Sequence, residues 1–257
     1  MAMNDVTAPS SQPGHTVMFI HGAGLSGAMW TLAREAFAPT YRCLSPDLPG
    51  HGGERSRPYS LDAAADALER ELAGIESISL YGESLGGYTA MYLARRLGPR
   101  LKSMVISGAS SVIAGRNYLP FAVQIALTRA LRAILGAARV DQAVARKVEG
   151  QLPPRLGAAV VAGGIQLQGF YEGLAALRGR DFRPDIAGLD LPILFVNGER
   201  DRGHCRGEAA FRAVVPHSES YRLAGVGHGV SLYQSAQVAA VAREFIDRSL
   251  GAQARAA

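Results

Sequence analysis

The segment G-E-S-L-G at residues 82–86 follows the G-x-S-x-G pattern, with a serine flanked by glycines two positions away on each side. A short apolar run precedes the motif and a helical pattern follows it, which predicts that Ser84 lies at a strand-to-helix turn. A serine in so tight a turn adopts a strained backbone, and Gly82 and Gly86 remove side chains that would collide there. The turn lifts the Ser84 hydroxyl above the sheet edge, beside the N–H groups of a helix start, and this indicates nucleophilic catalysis.

A serine nucleophile requires further catalytic groups from elsewhere in the chain. Its hydroxyl is weakly reactive until a base accepts the proton, and a third group must hold that base in the productive tautomer. Histidine is the side chain best suited to that task near neutral pH, and the sequence contains six. A glycine-rich helix start with a capping serine is the alternative explanation of the motif, and it requires none of these partners.

The elements that would position these groups alternate along the chain. Short apolar runs predict strands and longer periodic segments predict helices, an order typical of a parallel sheet covered by helices on both faces. The predicted strands are Thr16–Ile20, Arg42–Pro46, Ser77–Tyr81, Leu101–Ser107, Pro192–Asn197 and Ser218–Leu223. The predicted helices cover 27–37, 60–74, 85–97, 203–214 and 234–250. The fold class is therefore predicted to be α/β, with a doubly wound, mostly parallel sheet.

One long interval breaks this alternation. Residues 108–190 contain no convincing strand, and the apolar spacing over 119–135 and 139–148 predicts several helices. We therefore predict a helical cap insertion. The predicted division of the chain is a lead-in at 1–14, a core at 15–109 and 186–250, a cap at 110–185 and a tail at 251–257.

Four further motifs, in chain order, resemble those of the α/β-hydrolase fold, and the resemblance covers about residues 16–250. They are H-G-A-G at 21–24, D-L-P-G-H-G at 47–52, N-G-E-R-D at 197–201 and G-V-G-H-G at 225–229. The chain is similar to capped serine esterases, lactonases and C–C bond hydrolases of this fold. Too few residues precede Thr16 for the usual leading pair of strands, so a six-stranded sheet or a shortened edge is expected.

The resemblance implies roles for particular residues. It places the general base at His228 and the acid at Asp201, the last residue of N-G-E-R-D. Glu199 is a rival for the acid, because sequence does not orient either side chain. The resemblance also implies that the backbone N–H groups of Leu85 and Ala23 stabilise a developing oxyanion. A purely structural glycine-rich turn is the alternative for the segment around Ala23.

No metal or cofactor is expected, because this chemistry uses only side chains, backbone and water. Cys43 and Cys205 lack the spacing of zinc ligands, and H-G-A-G lacks the residues that complete a phosphate-binding loop. Asp47 is interpreted as a turn-forming residue rather than a catalytic acid.

The net charge of +5 is unevenly distributed. Residues 110–185 contain ten Arg or Lys against five Asp or Glu, so the whole positive excess lies in the predicted cap. No nucleic-acid motif or interleaved aromatic pattern accompanies it, so no nucleic-acid partner is expected. The favoured interpretation is a solvated surface, and the alternative is attraction of an anionic or carrier-bound substrate.

Neither a secretory signal nor a membrane span is expected. Residues 1–14 are small and polar, and the most apolar stretch, at 119–138, contains Gln124, Arg129 and Arg132, which are costly at the centre of a bilayer. The chain is therefore predicted to work in the cytoplasm.

We therefore expect a serine hydrolase that cleaves an ester, lactone or thioester of a small acyl substrate through an acyl-enzyme. The alternatives are C–C bond hydrolysis or cofactor-free perhydrolysis with the same triad, and a non-catalytic binding member of the fold. Apolar residues of the cap are candidates both for lining the pocket and for packing the cap onto the core, and sequence does not separate these roles. They are Phe121, Ile125, Leu127, Leu131, Leu135, Phe170, Tyr171 and Leu174.

Overall fold

The computed structural model describes residues 14–256, which form a sheet of six parallel strands. The strands are β1 (His15–Ile20), β2 (Arg42–Leu44), β3 (Ser77–Glu83), β4 (Leu101–Ser107), β5 (Ile193–Gly198) and β6 (Ser218–Leu223). Their order across the sheet is β2-β1-β3-β4-β5-β6, and every neighbouring pair is parallel. The predicted α/β class and the six-stranded sheet are confirmed.

Helices cover both faces of this sheet, as the near-continuous apolar strands require. Met18 and Ile20 of β1 pack into one core cluster, and Val17 and Phe19 pack into the other. Because successive residues of a strand point to opposite faces, β1 is buried on both sides. The helices that flank the sheet are α1 (Thr31–Phe37), α2 (Leu61–Glu71), α3 (Leu85–Leu97), α9 (Arg202–Arg212), α10 (Val230–Tyr233) and α11 (Ser235–Ala256).

Several boundaries differ from the sequence prediction. Strand β2 ends at Leu44, two residues early, and β3 continues two residues further, to Glu83. Helix α11 runs to Ala256, so the predicted tail at 251–257 is wrong for the described residues. The helix continues because its end is anchored: the Gln253 side chain donates a hydrogen bond of 2.9 Å to the carbonyl oxygen of Lys102. Of the predicted lead-in at 1–14, only Gly14 is among the described residues.

The insertion between β4 and β5 is helical throughout its described elements, which are α4 (Leu119–Leu135), α5 (Ala137–Glu149), α6 (Pro154–Gly163), α7 (Leu167–Leu177) and α8 (Arg183–Ile186). Helix α7 lies against loops that follow the strands. Its Glu172 carboxylate accepts a hydrogen bond of 2.8 Å from the backbone N–H of Tyr59, and its Gly169 lies against Gly50 and His51. The insertion therefore lies on the same edge of the sheet as the β1 and β2 loops.

Helix α4 presents an apolar face to solvent. Six of its side chains are exposed by 37–78%: Leu119, Val123, Leu127, Leu131, Ile134 and Leu135. By length and composition alone the segment Gly115–Leu135 is apolar enough to cross a membrane, and 6% of its most apolar window is buried. The two arginines of α4 have partners within the insertion, since Arg129 stacks over Tyr171 and Arg132 pairs with Asp141.

The close approach of α3 to β1 generates a stability prediction. A Cβ atom at Gly86 would lie 2.0 Å from the backbone oxygen of Ile20, whereas a Cβ at Gly203 in α9 would meet no atom within 4 Å. We expect Gly86→Ala to lower the free energy of unfolding by about 3 kcal/mol or more, because backbone cannot yield as a side chain can. Gly203→Ala is the control, and it should be neutral or stabilise by up to about 1 kcal/mol. Urea unfolding measures both, and equal stabilities would contradict the packing described.

Candidate active site

Ser84 lies at the turn between β3 and α3 in a strained conformation. Its φ of 54° is the only positive value for a non-glycine residue in the described chain. Such backbones cost on the order of 1–3 kcal/mol and persist only where the surroundings hold them. Here the Ser84 N–H donates to the carbonyl oxygen of Ser107 at 2.7 Å, and the N–H of Gly87 donates to the carbonyl oxygen of Ser84 at 2.9 Å. A Cβ at Gly82 would lie 2.4 Å from the backbone oxygen of Gly86, so the motif glycine is sterically required.

The structure brings together the three side chains that the sequence assigned to the triad. His228 Nε2 lies 2.9 Å from Ser84 Oγ, and His228 Nδ1 lies 2.6 Å from Asp201 Oδ2. Ser84 follows β3, Asp201 follows β5 and His228 follows β6. Because the strands are parallel, their carboxyl ends meet at one edge of the sheet, and this brings together residues more than a hundred positions apart.

Glu199, the rival acid, has a different contact. Its carboxylate accepts a hydrogen bond of 2.8 Å from the backbone N–H of Gly225. Glu199 thereby joins the loop after β5 to the loop after β6. Among the described residues it is Asp201, and not Glu199, that contacts His228.

His204 is a member of the site that the sequence interpretation missed. It is 4% exposed, and its Nδ1 lies 2.9 Å from each oxygen of Asp201, so this carboxylate contacts two histidines. A signal was present in the sequence. Residues three apart share one face of a helix, so a histidine three positions after an aspartate at a helix start was a candidate partner.

The pKa values within this group are shifted in different directions. Burial alone would raise the pKa of Asp201, but hydrogen bonds from His204 and His228 outweigh it and hold that pKa well below its usual range. The side chain of His228 is 40% exposed, and its partial removal from water lowers its pKa, but the hydrogen bond and charge of Asp201, with the charge of Glu83, raise that pKa above the ordinary 6.5. Burial lowers the pKa of His204. Asp201 is therefore ionised, and His204 is neutral at neutral pH.

Two backbone N–H groups near Ser84 are left without a hydrogen-bond acceptor among the described residues. Gly22 lies beside the nucleophile, since a Cβ at Gly22 would lie 3.7 Å from the Cβ of Ser84. The N–H groups of Ala23 and Leu85 have no acceptor among residues 14–256. Leu85 is the first residue of α3, where helix N–H groups are left unpaired and the helix dipole favours an anion. This geometry is consistent with the predicted oxyanion donors.

Buried polar groups hold the loop that contains Ala23. His21 is fully buried; its Nδ1 donates to the carbonyl oxygen of Gly22 at 2.9 Å, and its Nε2 accepts from the N–H of Leu48 at 2.9 Å. Burial lowers the pKa of His21 to about 3, so the neutral ring serves as both donor and acceptor. Asp47 accepts backbone hydrogen bonds of 2.8 Å from Gly27 and Gly53. The turn-forming role predicted for Asp47 is confirmed.

Glu83, the residue before the nucleophile, is a second buried carboxylate that the sequence interpretation missed. It is 2% exposed, and its Oε2 accepts from the hydroxyl of Ser107 at 2.6 Å and from the N–H of Ser231 at 3.1 Å. Its Oε1 has no hydrogen-bond partner among the described residues. Since Ser231 follows His228 closely, Glu83 connects the nucleophile turn to the histidine loop.

The same side chains could in principle hold a metal ion. The ligand atoms of Asp201, His204 and His228 lie within 4.8 Å of one another. A metal needs an unprotonated ring nitrogen, whereas each of these Nδ1 atoms faces a carboxylate oxygen and must carry a proton to bond it. The arrangement therefore fits a hydrogen-bonded catalytic group better than a metal centre. It can supply a nucleophile, a base, an orienting acid and oxyanion donors.

Comparison with known proteins gives one family. The alpha/beta hydrolase family matches residues 17–244. A pimeloyl-[acyl-carrier protein] methyl ester esterase of Xanthomonas axonopodis pv. citri is 28% identical over 244 residues, covering 91% of this chain and 95% of that protein.

Solved structures agree on the fold. MenH from S. aureus superposes with a TM-score of 0.75 at 18% identity, covering 95% of this chain and 97% of that one. The enol-lactonase from Burkholderia xenovorans LB400 superposes with a TM-score of 0.72 at 18% identity, covering 92% of each chain. Sequence motifs, sheet order and these similarities together place the chain in the alpha/beta hydrolase family.

Proposed function

We propose that this hydrolase cleaves a carboxylic ester through a Ser84-His228-Asp201 triad and an acyl-enzyme intermediate. The observation that supports this best is the continuous chain of contacts, 2.9 Å from Ser84 Oγ to His228 Nε2 and 2.6 Å from His228 Nδ1 to Asp201 Oδ2. These distances are within the range for transfer of a proton from nucleophile to base. The strained turn that presents the serine is the second support.

The first half-reaction follows from this geometry. Ser84 Oγ attacks the ester carbonyl carbon while His228 Nε2 takes the hydroxyl proton, and Asp201 stabilises the imidazolium that forms. The carbonyl oxygen becomes an oxyanion facing the N–H groups of Ala23 and Leu85. When the tetrahedral intermediate collapses, His228 returns the proton to the leaving alcohol oxygen, and the acyl group remains on Ser84.

The second half-reaction repeats these steps with water. His228 removes a proton from water, the hydroxide attacks the acyl carbon, and the proton is returned to Ser84 Oγ as the carboxylic acid leaves. His228 must therefore be neutral at the start of each half-reaction and charged within it. The raised pKa of His228 and the ionised Asp201 favour the charged state that forms within each half-reaction, and the neutral starting state requires a pH above that pKa.

The proposed substrate is an ester of an apolar acyl chain. Support comes from the relative that acts on a methyl ester of a carrier-bound acyl chain, and from the insertion beside the site. Phe170 of α7 packs onto Gly24, one residue from the proposed oxyanion donor Ala23. The basic excess of the insertion supports an additional role for an anionic carrier, and we rank it below the apolar contacts because charged helix residues are commonly solvated.

The assignment of the nucleophile is tested by covalent labelling. A fluorophosphonate probe should label the wild-type protein, and Ser84→Ala should lose both labelling and turnover of a short-chain ester by about 10⁴-fold or more. Ser249→Ala serves as a control because Ser249 is buried in α11, where its hydroxyl bonds the carbonyl oxygen of Phe245. Labelling that survives in Ser84→Ala would move the nucleophile to another residue.

The assignment of base and acid is tested by the pH profile. The base works only when neutral and its pKa is raised, so kcat/KM should fall as pH drops through a midpoint above the ordinary histidine value of 6.5. Asp201→Asn should reduce kcat by about 10⁴-fold and move the acid limb to lower pH, because the partner that raises the pKa of His228 is lost. Glu199→Gln should change kcat by less than about threefold, since this carboxylate bonds only a backbone N–H. The opposite ranking of the two variants would assign the acid to Glu199.

Substrate selection is tested with a series of esters of increasing acyl length at low and high salt. Each buried methylene should raise kcat/KM by about fourfold, corresponding to ~0.8 kcal/mol, with little dependence on salt. Phe170→Ala should flatten this series, whereas Leu127→Ala, at a position 58% exposed on α4, should not. A flat wild-type series with a steep salt dependence would instead indicate selection by charge.

A further inference from the structure

We propose that His204 is a positioning residue that holds the carboxylate of Asp201 in the orientation His228 needs. The proposal rests on the proposed function, since it concerns the acid of the same triad. The observation behind it is the placement of a second buried imidazole nitrogen 2.9 Å from both oxygens of Asp201.

Asp201 is the N-cap residue of α9, yet its side chain makes no capping hydrogen bond. An aspartate at this position ordinarily accepts from the N–H groups of the first helical turn. Here both carboxylate oxygens contact histidines instead. His204, three residues into the helix, reaches back as the third residue of a capping box does, but its target is the carboxylate. The helix start is thus built around the orientation of Asp201.

The direction of the hydrogen bonds between Asp201 and the two histidines follows from which atoms carry protons. An ionised carboxylate only accepts, so Nδ1 of His204 and Nδ1 of His228 both carry the proton of their hydrogen bond. In a neutral ring the other nitrogen is then unprotonated. For His228 this leaves Nε2 free to accept from Ser84, which is the tautomer that the proposed chemistry requires.

The surroundings of His204 hold its ring in place. Its Nε2 lies 3.2 Å from the hydroxyl oxygen of Tyr88, and that hydroxyl lies 2.6 Å from the carbonyl oxygen of Ser111. The His204 carbonyl oxygen accepts from the hydroxyl of Ser110 at 3.1 Å. The His204 ring also stacks on His228, with 5.1 Å between centroids and 26° between planes. A ring bonded to Asp201 at Nδ1, stacked on His228 and fixed through its own backbone carbonyl keeps its donor aimed at Asp201.

His204 can serve in this way only while it stays uncharged. The titratable groups that face it are Asp201, His228, Glu83 and Tyr88. When His228 becomes an imidazolium, a second cation stacked 5.1 Å away would oppose it, and burial already disfavours a charged His204. The two histidines therefore have different roles. His228 changes charge during each half-reaction, and His204 remains a neutral hydrogen-bond donor to Asp201.

Three variants separate positioning from space filling. His204→Leu keeps an apolar side chain of comparable size but removes the donor, and His204→Asn retains a side-chain N–H. Tyr88→Phe is the matched control, because it removes the hydroxyl beside Nε2 while the Nδ1 contact with Asp201 remains. Each variant is first checked for folding by circular dichroism and thermal unfolding.

We expect His204→Leu to reduce kcat by about 10- to 100-fold with little change in KM, because small misplacements of catalytic groups cost about that much. With one donor removed, more of the negative charge of Asp201 acts on His228, so the acid limb of kcat/KM should move to higher pH. His204→Asn should recover part of kcat and the wild-type limb, and Tyr88→Phe should retain both. The proposal would be overturned if His204→Leu kept kcat within twofold of wild type and left the acid limb of kcat/KM at the same pH. It would also be overturned if His204→Asn had no higher kcat than His204→Leu.

A second readout does not depend on turnover. In protein labelled with ¹⁵N-histidine, His204 should give the signals of a neutral ring protonated at Nδ1 and bonded to a carboxylate, both in wild type and in Ser84→Ala. A charged ring, or one protonated at Nε2, would overturn the proposal even in an active enzyme. Turnover that persists in Ser84→Ala would defeat the proposed function alone, so the two failures can be told apart.

Discussion

The turn between β3 and α3 is the constraint on which the rest of the site depends. For Ser84 to stand above the sheet, α3 must begin directly after β3 and pass close to β1, and this leaves no room for side chains at Gly82 or Gly86. The strained backbone is held by the bond from the Ser84 N–H to Ser107 on β4. The cost of strain is thus offset by packing and hydrogen bonds between β3 and β4, the two central strands of the sheet.

Polar side chains, buried in the case of Glu83 and His21, then connect the loops around this turn. Glu83 bonds the loop that follows His228, Glu199 joins the loops after β5 and β6, and His21 joins the loops after β1 and β2. A buried polar group left unpaired would cost about 1–3 kcal/mol, so the connections made by Glu83 and His21 strongly favour one arrangement of the loops that they join. The loops that carry the proposed catalytic residues are thus joined to neighbouring loops by side-chain hydrogen bonds.

Most strands and helices of the core could be predicted from the sequence because they follow local patterns of apolar and polar residues. Strands such as Leu101–Ser107 are apolar on both faces, and the serine motif needs a strand before it and a helix after it. Glu83 was missed because its importance comes from burial and from partners distant along the chain. His204 was missed because the sequence does not show that its ring is buried against the carboxylate of Asp201. Helix α11 extends beyond the predicted end at residue 250, where the side chain of Gln253 bonds Lys102, a tertiary contact that the sequence does not reveal.

The structure also shows that the apolar residues of the insertion have different environments, which the sequence alone did not distinguish. Leu127, Leu131 and Leu135 are exposed by 37–58% on the outer face of α4, so they neither pack the insertion onto the core nor line a closed pocket in this structure. Phe121 packs against the main core cluster, and Phe170 packs against Gly24 beside the proposed oxyanion donor. Apolar contact with an acyl chain is therefore expected from α7 more than from the outer face of α4. The carboxylate of Glu172 in α7 also bonds the backbone N–H of Tyr59, in the segment between β2 and α2. Substitutions in α7 that aim to change substrate preference must therefore keep this hydrogen bond.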